Sequence, residues 1–578
     1  MNLIYIDPPF NVGSDFSFTA KIADDPDTDE DESAEFVKQP SIIEQKAYRD
    51  TWGKGLDSYM QWFYETVSLL KELLTNDGTI YVHLDWHVSH YCKTVLDELF
   101  GYENFLNEIV WRRRTNTVKA ITRSFSVNND YQFNILYGEY PPEYFERFKY
   151  EDKHGKFRWQ VMATYSDERL KKLQDEDRVR FGPGAKYPEF KQYIHELKGR
   201  PIENIWGDIN MINAMSNERI GYDTQKPEGL LERIINASSV EGDLILDCFC
   251  GSGTTAAVAE KLNRRWITGD LGRFAIHTAR KRFLGIDNVK PFVVQNLGKY
   301  ERQQWMKAEF DEVQKPAREQ GHNSQPGEEG STSDLSVTPF LTVGLPHRLE
   351  QERTYKHFII DLYHAQPLDG YTWIHGAKAG KMIHVGSVDA PVTVEDIKAT
   401  IKEFWKLVGT EEAARLNGID FLGWDFAFDV NETAAHFAAA NKVNASFKKI
   451  PREVLEKKAV EQGDIKFYEL ASLDVETTSG KSELSVTLKD FIIPLDDVPE
   501  EVRGKITHWS QWIEYWAVDW NYRDDTFHNE WQSYRTKKEP KIDLTALHKY
   551  EKGGKYQILV KVIDILGNDT TKAIEVEV

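Results

Sequence analysis

The residues able to do chemistry fall in two short stretches far apart in the chain. The first is Asp7-Pro8-Pro9-Phe10, directly after the apolar run LIYI. Proline fixes φ and gives up its N–H, so two in a row hold a stiff, extended turn. At the carboxyl edge of an open α/β sheet, where ligands bind, such a turn aims the Asp7 carboxylate and the Pro8 carbonyl at one point. Phe10 stands beside them as a stacking face. Two acceptors and an aromatic surface suit an exocyclic amino group on a planar base. Taken alone, the four residues also fit a plain strand-ending turn, the weaker of the two readings.

The second stretch, LILDCFCGSGTT, is a strand running into a glycine-rich turn and then a helix. Gly251 and Gly253 let the backbone turn tightly and approach a ligand, and the helix N-terminus favours polar or anionic groups. The G-x-G spacing stops short of the dinucleotide fingerprint, and no lysine follows as in a P-loop. The next strand ends in Asp270, a carboxylate placed to hold the ribose hydroxyls of an adenosine-containing cofactor. A structural turn without a nucleotide is the alternative for the glycines alone. Three cysteines, Cys92, Cys248 and Cys250, make neither a disulfide framework nor a four-ligand zinc site, so no metal is expected.

These residues need a frame, and the chain supplies strand–helix alternation. The runs LIYID and TIYVHLD read as strands, and residues 59–75 and 87–99 as helices. NEIVW and YQFNILYGE read as two further strands with a basic stretch between them. Residues 140–205 lose the rhythm and read as an inserted module. It returns with a helix in GLLERIINASS, then strands LILDCF and RWITGD, helices TTAAVAEKLN and RFAIHTARKRFL, and a last strand PFVVQN. Such alternation argues for a parallel, doubly wound sheet. Residues 315–337, rich in Pro, Gly, Ser and Glu, read as a linker. A strand–helix–strand unit in 338–462 suggests a second, smaller α/β domain, and longer alternating strands in 463–578 suggest a β-sandwich of immunoglobulin type. The tryptophan-rich run WIEYWAVDWNY reads as the core of that sandwich. IHGAKAGKM, at 374–382, is similar to a P-loop, but its glycines are too close together and Met382 replaces the Ser/Thr. His83 and Asp85 read as strand-end and helix-cap residues.

At 578 residues the chain exceeds one compact core, and no apolar stretch approaches a membrane span. An intracellular, cytoplasmic location is expected. The net charge of −21 speaks against a nucleic-acid partner, but it is unevenly spread. Residues 24–35 hold eight acids and no base, which suits a mobile insertion, whereas WRRRTNTVKAITRSFS carries Arg112, Arg113, Arg114, Lys119 and Arg123 and no acid. Net charge alone leaves the partner open.

DPPF followed downstream by DCFCGSGTT, with TQKPEGLLERII leading into the cofactor strand, resembles the amino-group DNA methyltransferases of the β-class permutation. These include the modification subunits of type III restriction systems. The resemblance covers about residues 1–300 and implies a Rossmann-like methyltransferase domain over 1–314, with 140–205 as its target-recognition insert. It implies S-adenosyl-L-methionine as cofactor and double-stranded DNA as substrate, with a flipped-out adenine methylated at N6. Asp7 and Pro8 would accept from the amino group, Pro9 would stiffen the turn, and Phe10, usually Tyr in the family, would stack on the base. Phe249, Gly251, Ser252, Gly253 and Thr254 would form the cofactor turn, with Asp247 near the methionine ammonium and Asp270 on the ribose. Lys226 and Pro227 would lie beside the cofactor. The five basic residues at 112–123 would grip phosphates, and Arg158, Trp159 and Lys186 are candidates for target reading. A separate restriction or helicase subunit and a homodimer are further expectations. Family members carry a segment before the first strand that helps build the cofactor site, whereas here that strand begins at residue 3. The rival readings are an N4-cytosine enzyme, a non-catalytic DNA-binding scaffold with an incomplete cofactor site, and an RNA methyltransferase.

Overall fold

A computed structural model describes residues 1–9, 18–22, 34–38, 55–112, 120–126, 137–138, 142–182, 184–197, 200–201, 203–213, 216–222, 224–310, 345–412, 418–427, 430, 438, 440–463, 465–480, 482–494, 498, 500–523, 526–536 and 539–578. Phe10, Arg113, Arg114 and Lys119, the linker 315–337 and most of the acidic run lie outside them.

In the first half, the elements in chain order are β1 (Leu3–Ile6), α1 (Leu56–Leu73), β2 (Thr79–Leu84), α2 (Ser89–Phe100), β3 (Phe105–Trp111), β4 (Ala120–Ser126), β5 (Ile205–Trp206), α3 (Glu228–Ser238), β6 (Leu244–Asp247), α4 (Thr254–Lys261), β7 (Arg265–Thr268) and α5 (Arg273–Leu284). One seven-stranded sheet runs β5-β3-β4-β2-β1-β6-β7. Its ladders are parallel except for β4, which is antiparallel to both β2 and β3. The sheet is doubly wound because side chains alternate across each strand. Leu3, Tyr5, Tyr81 and Ile245 meet α3 and α4 on one face, while Ile4, Ile6, Ile80, Val82 and Leu246 meet α1 and α2 on the other. With both faces covered, the central strands read as continuous apolar runs.

Two sequence expectations fail here. The second half of the basic stretch is no loop between strands: it is β4, with Arg123 in register with Val82 on one side and Glu108 on the other. The backbone groups of β2 and β3 find their partners there, and positive charge does not bar a residue from a ladder. Of YQFNILYGE, residues 131–136 and 139 lie outside the described residues, and Tyr137–Gly138 forms a strand paired with Arg200–Pro201. PFVVQN forms no strand. Pro291 has no N–H to offer, the Lys290 N–H donates to the Glu260 carboxylate at 2.9 Å, and Phe292 turns in against Trp266 and Phe283.

The insert holds a four-stranded antiparallel sheet built from Tyr150–Asp152, Gly155–Val161, Val179–Arg180 and Glu189–Tyr193. Beyond residue 344, a six-stranded sheet carries parallel ladders between Lys381–Val385, Gly418–Gly423 and Ala445–Lys449, with the helix Val394–Glu412 between the first two. IHGAKAGKM is a hairpin: Gly376–Lys378 and Lys381–Val385 pair antiparallel around Ala379 and Gly380, both at positive φ. The last 110 or so residues form a three-stranded and a four-stranded sheet that share one core. Leu484, Val486 and Phe491 of the first meet Trp516, Val560 and Val562 of the second.

This C-terminal part is packed against the first half. Tyr515, Ala517 and Ile563 cover Leu284 at the end of α5, and Lys281 pairs with Glu514. The Arg273 guanidinium reaches Asn568 of that part, while from the preceding unit Arg452 donates to the Leu271 carbonyl and pairs with Glu301.

Candidate active site

Three adjacent strands, β1, β6 and β7, end at the same edge, and each delivers a carboxylate there. Asp7 follows β1, Asp247 closes β6 and Asp270 follows β7, so residues 240 positions apart in sequence become neighbours through the β1–β6 ladder. Asp247 is buried. Its Oδ2 accepts from Thr255 Oγ1 at 2.6 Å and its Oδ1 from the Phe249 N–H at 3.0 Å. Burial, with Asp7 and Asp270 adding their charges, pushes the Asp247 carboxyl up to about 7. Asp270 accepts from two backbone amides, Gly251 N–H at 2.9 Å and Gly272 N–H at 2.8 Å, and so clamps the glycine turn to the end of β7.

The turn itself requires its glycines. Gly251 has φ +47° and Gly253 φ +70°, in the left-handed region. A methyl group on Gly253 would lie 2.7 Å from the Ala279 Cβ, and one on Gly251 would lie 3.2 Å from the Tyr222 ring. Gly253 is the N-cap of α4, whose first turn therefore faces the edge where the carboxylates gather. Ser252 and Thr254 share a hydroxyl contact at 2.9 Å, and Thr254 also donates to the Lys226 carbonyl. Phe249 packs edge-on against Trp62, at 5.8 Å between centroids. Cys248 and Cys250 pack into the apolar clusters on either side of it, and burial raises both thiols, that of Cys248 to about 12.

Lys226 makes a contact that its motif did not announce. Its ammonium pairs with Asp7 Oδ2, tying the KP motif to the first chemical stretch rather than only to the cofactor side. The other oxygen, Asp7 Oδ1, is buried and has no hydrogen-bond partner among the described residues. Such a buried acceptor is costly unless a ligand completes it. Pro8 is buried beside it, Pro9 is half-buried and Pro227 caps α3.

Several residues that build the site were not picked out from sequence. Tyr222 stacks on Phe274 and closes over Gly251. Arg282, nearly buried on α5, donates to the Ser252 carbonyl, to Thr254 Oγ1 at 2.8 Å and to Glu228 at 2.8 Å, binding α3, α5 and the turn into one unit. In sequence it is one base among three in ARKRF, with no signal to separate it from a solvated helix face. Thr255 was legible in principle, as a hydroxyl in the first turn of the helix after Asp247. Asp85, expected as a helix cap, instead holds His87: α2 is capped by Val88, without a side-chain bond. His83 is buried between Tyr5 and Trp111.

Of the expected DNA contacts, Arg112 follows β3 at the same edge, its guanidinium lying over Gly207, and Arg123 lies within β4. Arg158 donates to Gln192 and lies over Tyr144, Trp159 sits under Arg180, and Lys186 lies over Tyr187. Among the described residues no helix is long and apolar enough to cross a membrane, and no group of His, Cys, Asp or Glu is arranged for a metal.

A strand-end acidic turn, a glycine turn and the carboxylates of Asp247 and Asp270 thus stand together on neighbouring strands of a doubly wound sheet. Residues 1–281, just under half of the chain, match the DNA methylase family. The chain is 27% identical over 319 residues to the type II methyltransferase M.EcaI of Enterobacter cloacae, covering 49% of this chain and 64% of that protein. It is 24% identical over 315 residues to the type III restriction-modification enzyme StyLTI Mod subunit of Salmonella typhimurium, covering 46% and 47%. Among solved structures, the cytosine-N4-specific PvuII DNA methyltransferase matches at 15% identity and a TM-score of 0.26, over 43% of this chain and 78% of that one. The chain thus spans about half to two-thirds of the first two relatives, and about half of its own length lies beyond the matched region.

Proposed function

We propose that this chain is a DNA methyltransferase that uses S-adenosyl-L-methionine to methylate the exocyclic N6 of an adenine flipped out of duplex DNA. The observation that carries the reading is the buried Asp7 Oδ1, without a hydrogen-bond partner among the described residues, at the sheet edge beside the glycine turn and the carboxylates of Asp247 and Asp270. Three carboxylates converging on one edge suit a cationic ligand, and S-adenosyl-L-methionine carries both a sulfonium and an ammonium. Asp247 would face the ammonium, Asp270 and the glycine turn would hold the adenosine, and Tyr222 would bound that half of the site. When bound, the cofactor supplies the methyl group that the amino nitrogen takes.

The chain's own residues act on the acceptor. Lys226 occupies Asp7 Oδ2 and leaves Oδ1 for one amino hydrogen, while the Pro8 carbonyl accepts the other. Holding both hydrogens turns the nitrogen lone pair out of the ring, where it is otherwise delocalised, and the fixed acceptors stabilise the positive charge that grows on nitrogen. A base inside a duplex is out of reach, and flipping costs roughly a few kcal/mol. Asp at the first position of the motif favours adenine over cytosine. Residues 338–462 and 463–578 are proposed as separate accessory units, and a restriction subunit as an intracellular partner.

Tritium transfer from S-adenosyl-L-methionine to unmethylated duplex DNA, followed by nucleoside analysis, tests this. Label in N6-methyladenine that disappears in Asp7→Ala supports it. Label in N4-methylcytosine would replace the base assignment, and cofactor binding with no transfer to DNA would refute the reading.

A further inference from the structure

Trp86 is a tryptophan with 60% of its surface exposed. Single exposed aromatics are common on proteins and carry no message by themselves. This one differs in how it is held. Its indole is stacked on His87, with ring centroids 3.7 Å apart and planes at 29°. His87 is fixed in turn by Asp85, which is 8% exposed: Oδ1 accepts the His87 backbone N–H at 2.9 Å and Oδ2 contacts His87 Nδ1 at 2.5 Å. A buried carboxylate therefore locks an imidazole, and the imidazole backs an indole that stays largely exposed.

The platform stands at a meaningful place. β1 and β2 are parallel neighbours, with Ile6 in register with Val82, so the turn after β2 rises at the same edge as Asp7 and one strand away. It lies on the side of β1 opposite β6 and β7, away from the glycine turn. Arg112 follows β3 at that same edge, where β3 is two strands beyond β2. A rigid flat face and a cation flanking an amino-group acceptor match the two surfaces of a nucleic-acid strand, π-face and phosphate.

We propose that Trp86 is a base-stacking residue of the substrate site, resting on the reading of the chain as a DNA methyltransferase. Its occupant is the base adjacent to the flipped target, which loses one stacking partner when the target leaves the helix. The Asp85–His87 clamp keeps the indole from collapsing onto the protein, so little ordering is lost on contact.

The test uses the full chain as Trp86→Ala, Trp86→Leu and Trp86→Phe, with duplex DNA carrying 2-aminopurine next to the target adenine. Binding is read by fluorescence anisotropy and stacking by 2-aminopurine quenching, neither of which requires turnover. Trp86→Ala and Trp86→Leu are expected to weaken DNA binding roughly 10- to 100-fold and relieve the quenching, with Trp86→Phe restoring most of both. S-adenosyl-L-methionine affinity should stay unchanged, which also reports that each variant is folded. Unchanged DNA affinity and quenching in Trp86→Ala would overturn the assignment. So would Trp86→Leu binding like the wild type, because apolar area and not a π-face would then be at work. A wild-type chain that binds DNA but transfers no methyl group would refute the proposed function and leave the stacking result to be judged on its own.

Discussion

On the proposed reading, Asp247 should make cofactor affinity depend on pH in a range where few carboxylates titrate. Its carboxyl, at about 7, must be ionised to face a cationic ligand, yet burial and two neighbouring carboxylates favour the protonated form. The ionised fraction then falls from about three-quarters at pH 7.5 to about 3% at pH 5.5. Affinity for S-adenosyl-L-methionine should weaken by about 25-fold across that interval, with close to one proton released per cofactor bound at the acid end. The stability of the free protein should move the other way. A carboxyl whose folded value is raised contributes stability fully below its unfolded value, near 3.9, and loses it as pH rises through about 7. Isothermal titration calorimetry in two buffers of different ionisation enthalpy measures affinity and proton release together. Asp247→Asn should abolish the pH dependence of binding over this range. A wild-type affinity that is flat from pH 5.5 to 7.5, with enthalpy independent of buffer, would refute the argument.

Four further outcomes follow from the same geometry. Lys226→Met removes the charge-assisted partner of Asp7 and should lower turnover roughly 10- to 100-fold, with Lys226→Arg recovering part of it; steady-state kinetics that leave kcat unchanged would remove the pair from the chemistry. Gly253→Ala places a methyl group 2.7 Å from the Ala279 Cβ at a left-handed φ and should cost roughly 2–4 kcal/mol, read as the urea midpoint. Arg282→Met breaks a nearly buried ion pair and two further bonds, so a loss of roughly 3 kcal/mol in unfolding free energy is expected together with weakened cofactor binding. His277 is buried on α5 with neither ring nitrogen bonded among the described residues, and burial holds its pKa well below the usual value. A base depressed in this way loses stability as pH falls through about 6.5, so His277→Leu should raise the unfolding midpoint and blunt the acid loss, by roughly 1–3 kcal/mol; an unchanged acid limb would count against it.

The apolar runs LIYI, TIYVHL and LILD announced buried parallel strands because both faces of a doubly wound sheet are covered, and the prolines and glycines at their ends marked where the chain turns. Those signals are local, and they carried Asp7, Asp247, Gly251, Gly253 and Asp270. What sequence left open was which strands are neighbours, because pairing between residues 240 positions apart follows from the burial of whole sheet faces. That pairing sets three carboxylates side by side, raises Asp247, and brings Lys226 onto Asp7. The strand at Ala120–Ser126 was missed for a related reason: the basic stretch was placed between strands, whereas unpaired backbone on β2 and β3 required a partner there. Arg282 and Trp86 lay beyond any local pattern, since one is defined by three acceptors from distant elements and the other by a stacked histidine and the strand beside it. Residue types and spacing determined which groups the chain possesses and where its turns fall; only the packing of sheet and helices decided which of those groups share a site, because electrostatic coupling and burial depend on distance in space.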